Sequence, residues 1–239
     1  MARQLIIALY LYSLMFSSVI RASHLENTQI SLMTYNVENL FDTIDDPLKM
    51  DEQFLPEDLK RKFKLCESVT PDWRRVQCES FNWDDDALYK KMQNLAKAIL
   101  SYNSGVGPDV LVLQEIENIE VLGEFNRVFL GKAEYATIEL LEGPDVRGID
   151  TAVLSRLPLA TSSTLHPVRW SLQNETFKRP TRSILEVQLV LNKTDILSVF
   201  ALHFPSPRHP LQDRLDAFLA LEKAAKASSS EVIIAAGDF

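Results

Sequence analysis

The sequence predicts an α/β protein in one domain, on three observations. Val110-Leu111-Val112-Leu113, introduced by Pro108-Asp109, is an apolar run with no polar face, the pattern of a strand buried on both sides. Amphipathic helical stretches stand on either side of it. Leu88, Met92, Leu95 and Ile99 share one stripe behind Asp84-Asp85-Asp86, and Val121, Leu122, Phe125 and Phe129 share another behind Asn118, a natural cap. Finally, 239 residues that are 46% hydrophobic and 24% charged suffice for one large core and are too few for two comfortable ones.

The first residues are set apart from that domain. Met1-Ala2-Arg3-Gln4 is a short basic start, Leu5 to Ile20 carries no charge, and Arg21-Ala22-Ser23 offers a small residue to a signal peptidase. Residues 1–22 are therefore expected to be an export signal, cleaved after Ala22, with the mature chain periplasmic or secreted. An uncleaved anchor is the competing reading, but the run is shorter than the ~20 residues of a spanning helix. Losing residues 1–22 removes two arginines and no acid, so the formal charge moves from −8 to −10. Such a surface repels polyanions, so a nucleic-acid or phospholipid substrate needs local basic residues and a bound cation. Cys66 and Cys78, the only cysteines, suit a local disulfide in an oxidising compartment; two free thiols in a loop are the alternative. Their spacing is not that of a zinc or redox motif.

From Gln29 to Val37 the chain has strand composition and ends in Asn36-Val37-Glu38-Asn39-Leu40-Phe41-Asp42, where Asn36 and Glu38, two apart, share a face of an extended segment. A turn is the other reading of that polar cluster. Residues 43–86, rich in charge and proline, read as a long loop insertion with one short helix near Pro56 to Leu65. The helix of Leu88 to Ile99 then leads through Asn103-Ser104-Gly105 into the buried strand, which ends in Gln114-Glu115. Beyond the second helix, Tyr135 to Leu141 and Thr151 to Leu154 read as strands. Ser183 to Leu191 and Asp195 to Leu202 read as a hairpin about Asn192-Lys193-Thr194. A third helix, Leu211 to Ala227, is expected to bury Leu211, Leu215, Phe218 and Leu219. Val232 to Ala236 is the last strand, followed by Gly237-Asp238-Phe239.

Several strands thus end in a potential ligand: Asn36 with Glu38, Glu115, His203 and Asp238. Each has an ordinary reading: an edge glutamate reaching solvent, a hydrogen-bonded core histidine, a turn aspartate. Together they suit phosphoryl chemistry, which needs a hard divalent cation, a positioned water and groups that manage protons.

Thr34-Tyr35-Asn36-Val37-Glu38-Asn39-Leu40-Phe41-Asp42, Pro108-Asp109 with Leu113-Gln114-Glu115-Ile116-Glu117-Asn118, Arg147-Gly148-Ile149-Asp150, Ala201-Leu202-His203-Phe204-Pro205-Ser206 and Ala236-Gly237-Asp238-Phe239 occur in one order. From about residue 29 to the last, the chain resembles the endonuclease/exonuclease/phosphatase superfamily, as an exported bacterial member related to pancreatic-type deoxyribonucleases and exonuclease III-like enzymes. The resemblance implies an α/β fold, a four-layered α/β/β/α sandwich of two packed mixed sheets. It implies Mg²⁺, with Mn²⁺ or Ca²⁺ as alternatives, held by Asn36, Glu115 and, in some relatives, an acid in the slot of Glu38. His203 then moves protons and stabilises the phosphorane, Asp238 orients or deprotonates the attacking water, and Asp150 orients His203. Arg147 and Arg182 are phosphate contacts by similarity; surface ion pairs are the alternative. Family members continue past Gly-Asp-Phe with an asparagine, further strands and an aspartate-histidine segment. The expectation is therefore an incomplete sandwich, from a gene fragment, a frameshifted product or a degenerate paralogue, with poor activity. The implied function is metal-dependent hydrolysis of phosphodiester bonds in a nucleic acid or another phosphodiester substrate. A phospholipid or sugar-phosphate phosphodiesterase and a non-catalytic exported remnant or binding module are the alternatives. No stable protein partner is evident, and a monomer is expected.

Overall fold

A computed structural model describes residues 29–171 and 182–239; the expected export signal and Arg179 to Thr181 lie outside the described residues. The chain divides into Met1–Ile30 and a unit Ser31–Phe239, to which all the elements named here belong. Strands β1 (Leu32–Leu40), β2 (Val110–Ile116), β3 (Thr137–Leu140) and β4 (Asp150–Ser155) form one four-stranded sheet, ordered β1-β2-β4-β3. Strands β5 (Thr164–His166), β6 (Ile184–Val190), β7 (Ile196–His203) and β8 (Val232–Asp238) form a second, in that order. Each sheet is mixed, and each holds one parallel pair, β1 with β2 and β7 with β8. The helices are α1 (Glu57–Phe63), α2 (Asp72–Ser80), α3 (Asp85–Leu100), α4 (Ile119–Phe129) and α5 (Leu211–Ala227).

The alternation of side chains along β2 explains the layering. Leu111 and Leu113 join Met92, Leu95 and Ile99 of α3 and Val121, Leu122 and Phe125 of α4 in one cluster. Val110 and Val112 point the other way and are equally buried, because the second sheet packs there through β7 and β8. Helix α5 closes the far side, its Ala217 and Ala224 lying against Ile184, Phe200, Leu202 and Phe204. The result is an α/β/β/α arrangement of two packed mixed sheets, the fold class expected. Asp84 and Asn118 cap α3 and α4 as the sequence suggests, accepting from the amides of Ala87 (2.9 Å) and Val121 (2.8 Å). Among the described residues no helix is long and apolar enough to cross a membrane.

Two expectations are corrected. Helix α5 does not bury Leu211, Leu215, Phe218 and Leu219: all four are exposed, Leu211 at 67%. A second stripe, Ala217, Ala220, Leu221, Ala224 and Ala225, faces the sheet instead. The reason is steric. The sheet presents bulky side chains there, and small residues let the helix approach closely. Asp216 fixes the rotation, its Oδ2 accepting from the amide (2.6 Å) and hydroxyl (2.8 Å) of Ser171. The second correction lies within 43–86, where two helices form rather than one. Pro71 stands at the N-cap of α2, where helical amides lack partners anyway and proline is tolerated. A Cys66–Cys78 disulfide ties α2 to the turn after α1. Phe54 stacks on Phe41 (centroids 4.2 Å apart) and meets Trp83 edge-on, joining this segment to the end of β1.

Asp51, which precedes the turn holding Phe54, is 1% exposed. Its Oδ2 accepts from the Asp46 amide (3.0 Å), and its buried Oδ1 has no partner. Burial, reinforced by Asp45 and Glu52, pushes its carboxyl up from 3.8 to about 6. Between those values the folded chain holds a proton that the unfolded chain has released, so Asp51 costs stability as pH rises through that window. Asp51→Asn should flatten this fall and leave the variant up to roughly 3 kcal/mol more stable near neutral pH. Urea midpoints at about pH 4 and about pH 7 measure it; parallel losses in both proteins would refute the assignment.

Candidate active site

The two parallel pairs position the site. Strands in such a pair run the same way, so β1 and β2 deliver Asn36 and Glu115 at one edge, and β7 and β8 deliver His203 and Asp238, which lie in register. The sheets are packed with these carboxyl ends facing one another. Asn36 Nδ2 donates to Asp238 Oδ2 across the gap (2.7 Å) and lies 3.4 Å from Glu115 Oε1. His203 Nε2 lies 3.4 Å from Glu115 Oε1 and 4.0 Å from Asp238 Oδ2.

Local backbone geometry sets these directions. Glu115 has a φ of +68°, in the left-handed region, and the β2 ladders to β1 and β4 shift register around it. A non-glycine residue held there stores about 1–3 kcal/mol, which persists because its surroundings over-determine it. Gln114 and Ile116 on either side are completely buried, and Gln114 Nε2 donates to Thr34 Oγ1 (3.2 Å). Glu38 and Asn39 are also left-handed. The Glu38 amide donates to Asn36 Oδ1 (2.8 Å), its carbonyl accepts from Lys91 Nζ (3.1 Å), and its side chain is exposed.

Arg147 and Arg182 converge on Asp145, a residue 6% exposed in the β3–β4 loop. Arg147 Nε lies 3.5 Å from Asp145 Oδ1 and Arg182 Nε 3.4 Å from Oδ2. The second is an ion pair without hydrogen-bond geometry, since Arg182 Nε has no hydrogen-bond partner. Arg182 Nη1 donates to the His203 carbonyl at 3.5 Å. Burial drives the His203 imidazole down to about 3, and Arg182 and Arg147 push the same way. The ring is therefore neutral near pH 7.

Asp150 is not where the sequence reading puts it. Its Oδ1 accepts from the Gly143 amide (3.0 Å), its charged neighbours are Glu142, Lys49 and Asp145, and burial raises its carboxyl to about 7. Among the described residues His203 Nδ1 has no hydrogen-bond partner, so Asp150 does not orient the ring. The cause is register: Asp150 lies opposite Ile116 at the start of β4, where the bulge at Glu115 turns the chain away. Sequence reasoning missed two residues. Lys91 lies near Glu38 and Glu115, where both carboxylates favour its charged form although burial lowers its pKa. Asp145 has as its only sequence signal a carboxylate two residues before Arg147.

The donor set fits a hard divalent cation. Glu115 and Asp238 share one amide nitrogen and a neutral imidazole, and among the described residues neither makes a direct ion pair with a lysine or arginine. Among the described residues no cluster of three or more His, Cys, Asp or Glu side chains is arranged to cage a metal. One or two carboxylates, with water completing the shell, is how Mg²⁺ is usually held.

A two-sheet α/β fold with amide, carboxylates and histidine at facing strand ends defines a class of hydrolases that act on phosphate esters. The chain belongs to the endonuclease/exonuclease/phosphatase family, whose model matches residues 31–66 and 70–216. That family comprises phosphoesterase- and nuclease-type hydrolases, which generally use divalent metals. Asp238 lies beyond the matched spans. Among solved structures the chain is similar to ANGEL2, a 2′,3′-cyclic phosphatase: 18% identity over 87% of this chain and 52% of that one, TM-score 0.48. It is similar to an endonuclease/exonuclease/phosphatase from Beutenbergia cavernae, at 17% identity over 58% of this chain and 39% of that one, TM-score 0.46. A family protein from Bacteroides thetaiotaomicron is 12% identical over 87% of this chain and 62% of that one, TM-score 0.43. The chain therefore spans less than two thirds of the length of each. No curated protein matches it.

Gly237, with φ +142°, is what lets β8 lie close to β7 beside the site: a Cβ there would fall 2.0 Å from the Leu202 carbonyl oxygen. Gly237→Ala should force the strands apart where they carry His203 and Asp238, at a cost of at least about 2 kcal/mol. A urea midpoint equal to that of the wild type would refute this.

Proposed function

We propose that this chain is a divalent-metal-dependent phosphodiesterase of the nuclease branch. The observation that carries the reading is the meeting of Asn36, Glu115, His203 and Asp238 at the carboxyl ends of two facing parallel strand pairs, with Arg147 and Arg182 alongside. Glu115 and Asn36 would hold Mg²⁺, replaceable by Mn²⁺ or Ca²⁺, with the Glu38 carboxylate adding negative potential nearby. The bound cation supplies charge neutralisation at the non-bridging phosphate oxygens. Arg147 and Arg182 orient the phosphate. Asp238, half-exposed at the mouth, accepts a proton from the attacking water. His203, buried and neutral, offers an Nε2 proton toward the reacting oxygens. Asp150 takes no part.

Turnover is expected to be low. Asp238 sits on an edge strand with half its side chain in solvent, and His203 Nδ1 lacks a partner to fix the ring. The acidic composition favours a second reading, a phospholipid or sugar-phosphate phosphodiesterase, because a nuclease gains more from a basic groove. The chain is proposed to act as an exported monomer.

Plasmid nicking, sphingomyelin hydrolysis and cleavage of a bis(nitrophenyl) phosphate, each with Mg²⁺, test both readings. Nicking without lipid cleavage supports the nuclease, and the converse supports the lipid enzyme. Chelation should abolish either activity, Glu115→Gln should lower kcat about 10²–10³-fold, and His203→Ala roughly 10²–10⁴-fold. Activity indifferent to chelation and to Glu115→Gln removes the metal role, and no hydrolysis of any substrate leaves a non-catalytic exported protein.

A further inference from the structure

Asp145 has no place in the reading above, yet it lies between both arginines of the site. It is almost wholly buried, and both oxygens are used. Oδ1 accepts from the backbone amide of Arg147 (2.9 Å) and faces that residue's Nε, while Oδ2 faces Nε of Arg182. A buried carboxylate is costly without positive partners, and two neighbouring guanidiniums repel unless an anion lies beside them. Asp145 answers both needs. After the effect of burial, Arg147 and Asp145 are the largest influences on Arg182, and they act in opposite directions.

The way the arginines are held matters more than the pairing. Each meets Asp145 through Nε, at the stem side of its fork, which leaves terminal nitrogens available to other partners. One of them, Nη1 of Arg182, reaches the His203 carbonyl. The loop carrying Asp145 is itself anchored: the Gly148 amide donates to the Asp145 carbonyl (3.0 Å), and the Met50 amide to the Val146 carbonyl (2.9 Å). One rigid loop thus sets the spacing of an inner guanidinium, Arg182 with 16% of its side chain exposed, and an outer one, Arg147 with 40%. The trio keeps a net positive charge, and guanidinium forks match phosphate oxygens.

We infer that Asp145 is a positioning residue that splays Arg147 and Arg182 into a two-pronged clamp for the substrate phosphate. This rests on the phosphodiesterase reading in assuming that the arginines face a phosphate; Asp145 touches neither substrate nor metal. The inference runs against simple electrostatics. Removing a negative charge between two arginines raises the local positive potential and by itself tightens anion binding, whereas losing the positioning weakens it.

Asp145→Asn separates these outcomes, because its amide oxygen can still accept from the Arg147 amide. Binding of inorganic phosphate with Mg²⁺ present, by calorimetry, should weaken about tenfold relative to wild type. KM for the phosphodiester should rise similarly, with kcat changed less than threefold. Asp145→Glu, which keeps the charge, should recover part of the loss. In an Arg147→Ala background, Asp145→Asn should cost clearly less than it does alone, because the two act as a unit. Phosphate binding that is unchanged or tighter in Asp145→Asn overturns the proposal, as does a loss matched by Arg147-independent unfolding in thermal melts. Absence of phosphate binding by the wild type overturns it too. Calorimetry needs no turnover, so phosphate binding without hydrolysis would sink only the catalytic reading, while hydrolysis abolished by Glu115→Gln but untouched by Asp145→Asn would sink only this one.

Discussion

The ladders that join β2 to β1 on one side and to β4 on the other lose register at the same place, around Glu115. A strand buried on both faces has no freedom to turn its side chains; period-two alternation would commit Gln114 and Glu115 to opposite faces. The left-handed residue breaks that rule for one position, at a point where the surrounding core is rigid enough to hold it. Glu115 is thereby freed to meet Asn36 and His203. The same shift turns Asp150 toward Gly143 and away from His203, so one backbone irregularity both assembles the carboxylate side of the site and excludes the neighbouring acid.

A second constraint is the burial of charge between the sheets. Glu115 and Asp238 approach one amide nitrogen from two sheets, while Arg147 and Arg182 approach the histidine from the loop side. Burial, with the two arginines acting the same way, keeps the imidazole neutral. Positive and negative groups thus crowd one gap, Lys91 near Glu115 and Arg182 under the influence of both Glu115 and Asp238. Such crowding suits a site that takes both a cation and an anion.

What the sequence makes legible is local. Caps at Asp84 and Asn118, the apolar stripe of α3, the two-faced burial of β2 and the polar ends of four strands follow from residues within a few positions of one another. Which strand end meets which does not. Asn36 and Asp238 are separated by 202 positions, and their contact depends on how two sheets stack. Helix α5 shows the limit from another side. Its sequence carries a large-residue stripe and an alanine stripe, and the shape of the opposing sheet chooses between them. Asp145 was hidden for a similar reason: in a run of glycine, proline and acid it reads as a turn former, and only the arrival of Arg182 from beyond β5 gives its second oxygen a role.

The acidic composition and the arginine pair then describe one kind of recognition. At physiological ionic strength a charge is screened over about 8 Å, so the excess of acids elsewhere on the surface contributes little at the phosphate itself. It acts instead on long-range encounter, where it opposes the approach of an extended polyanion. On the proposed reading, two guanidiniums held by one carboxylate would attract a phosphate at close range while leaving the long-range field acidic. On the proposed reading, such a surface gains its affinity from one well-placed phosphate rather than from many along a backbone. That distinction, more than the identity of the metal-site residues, bears on whether the substrate is a polymer or a small phosphodiester.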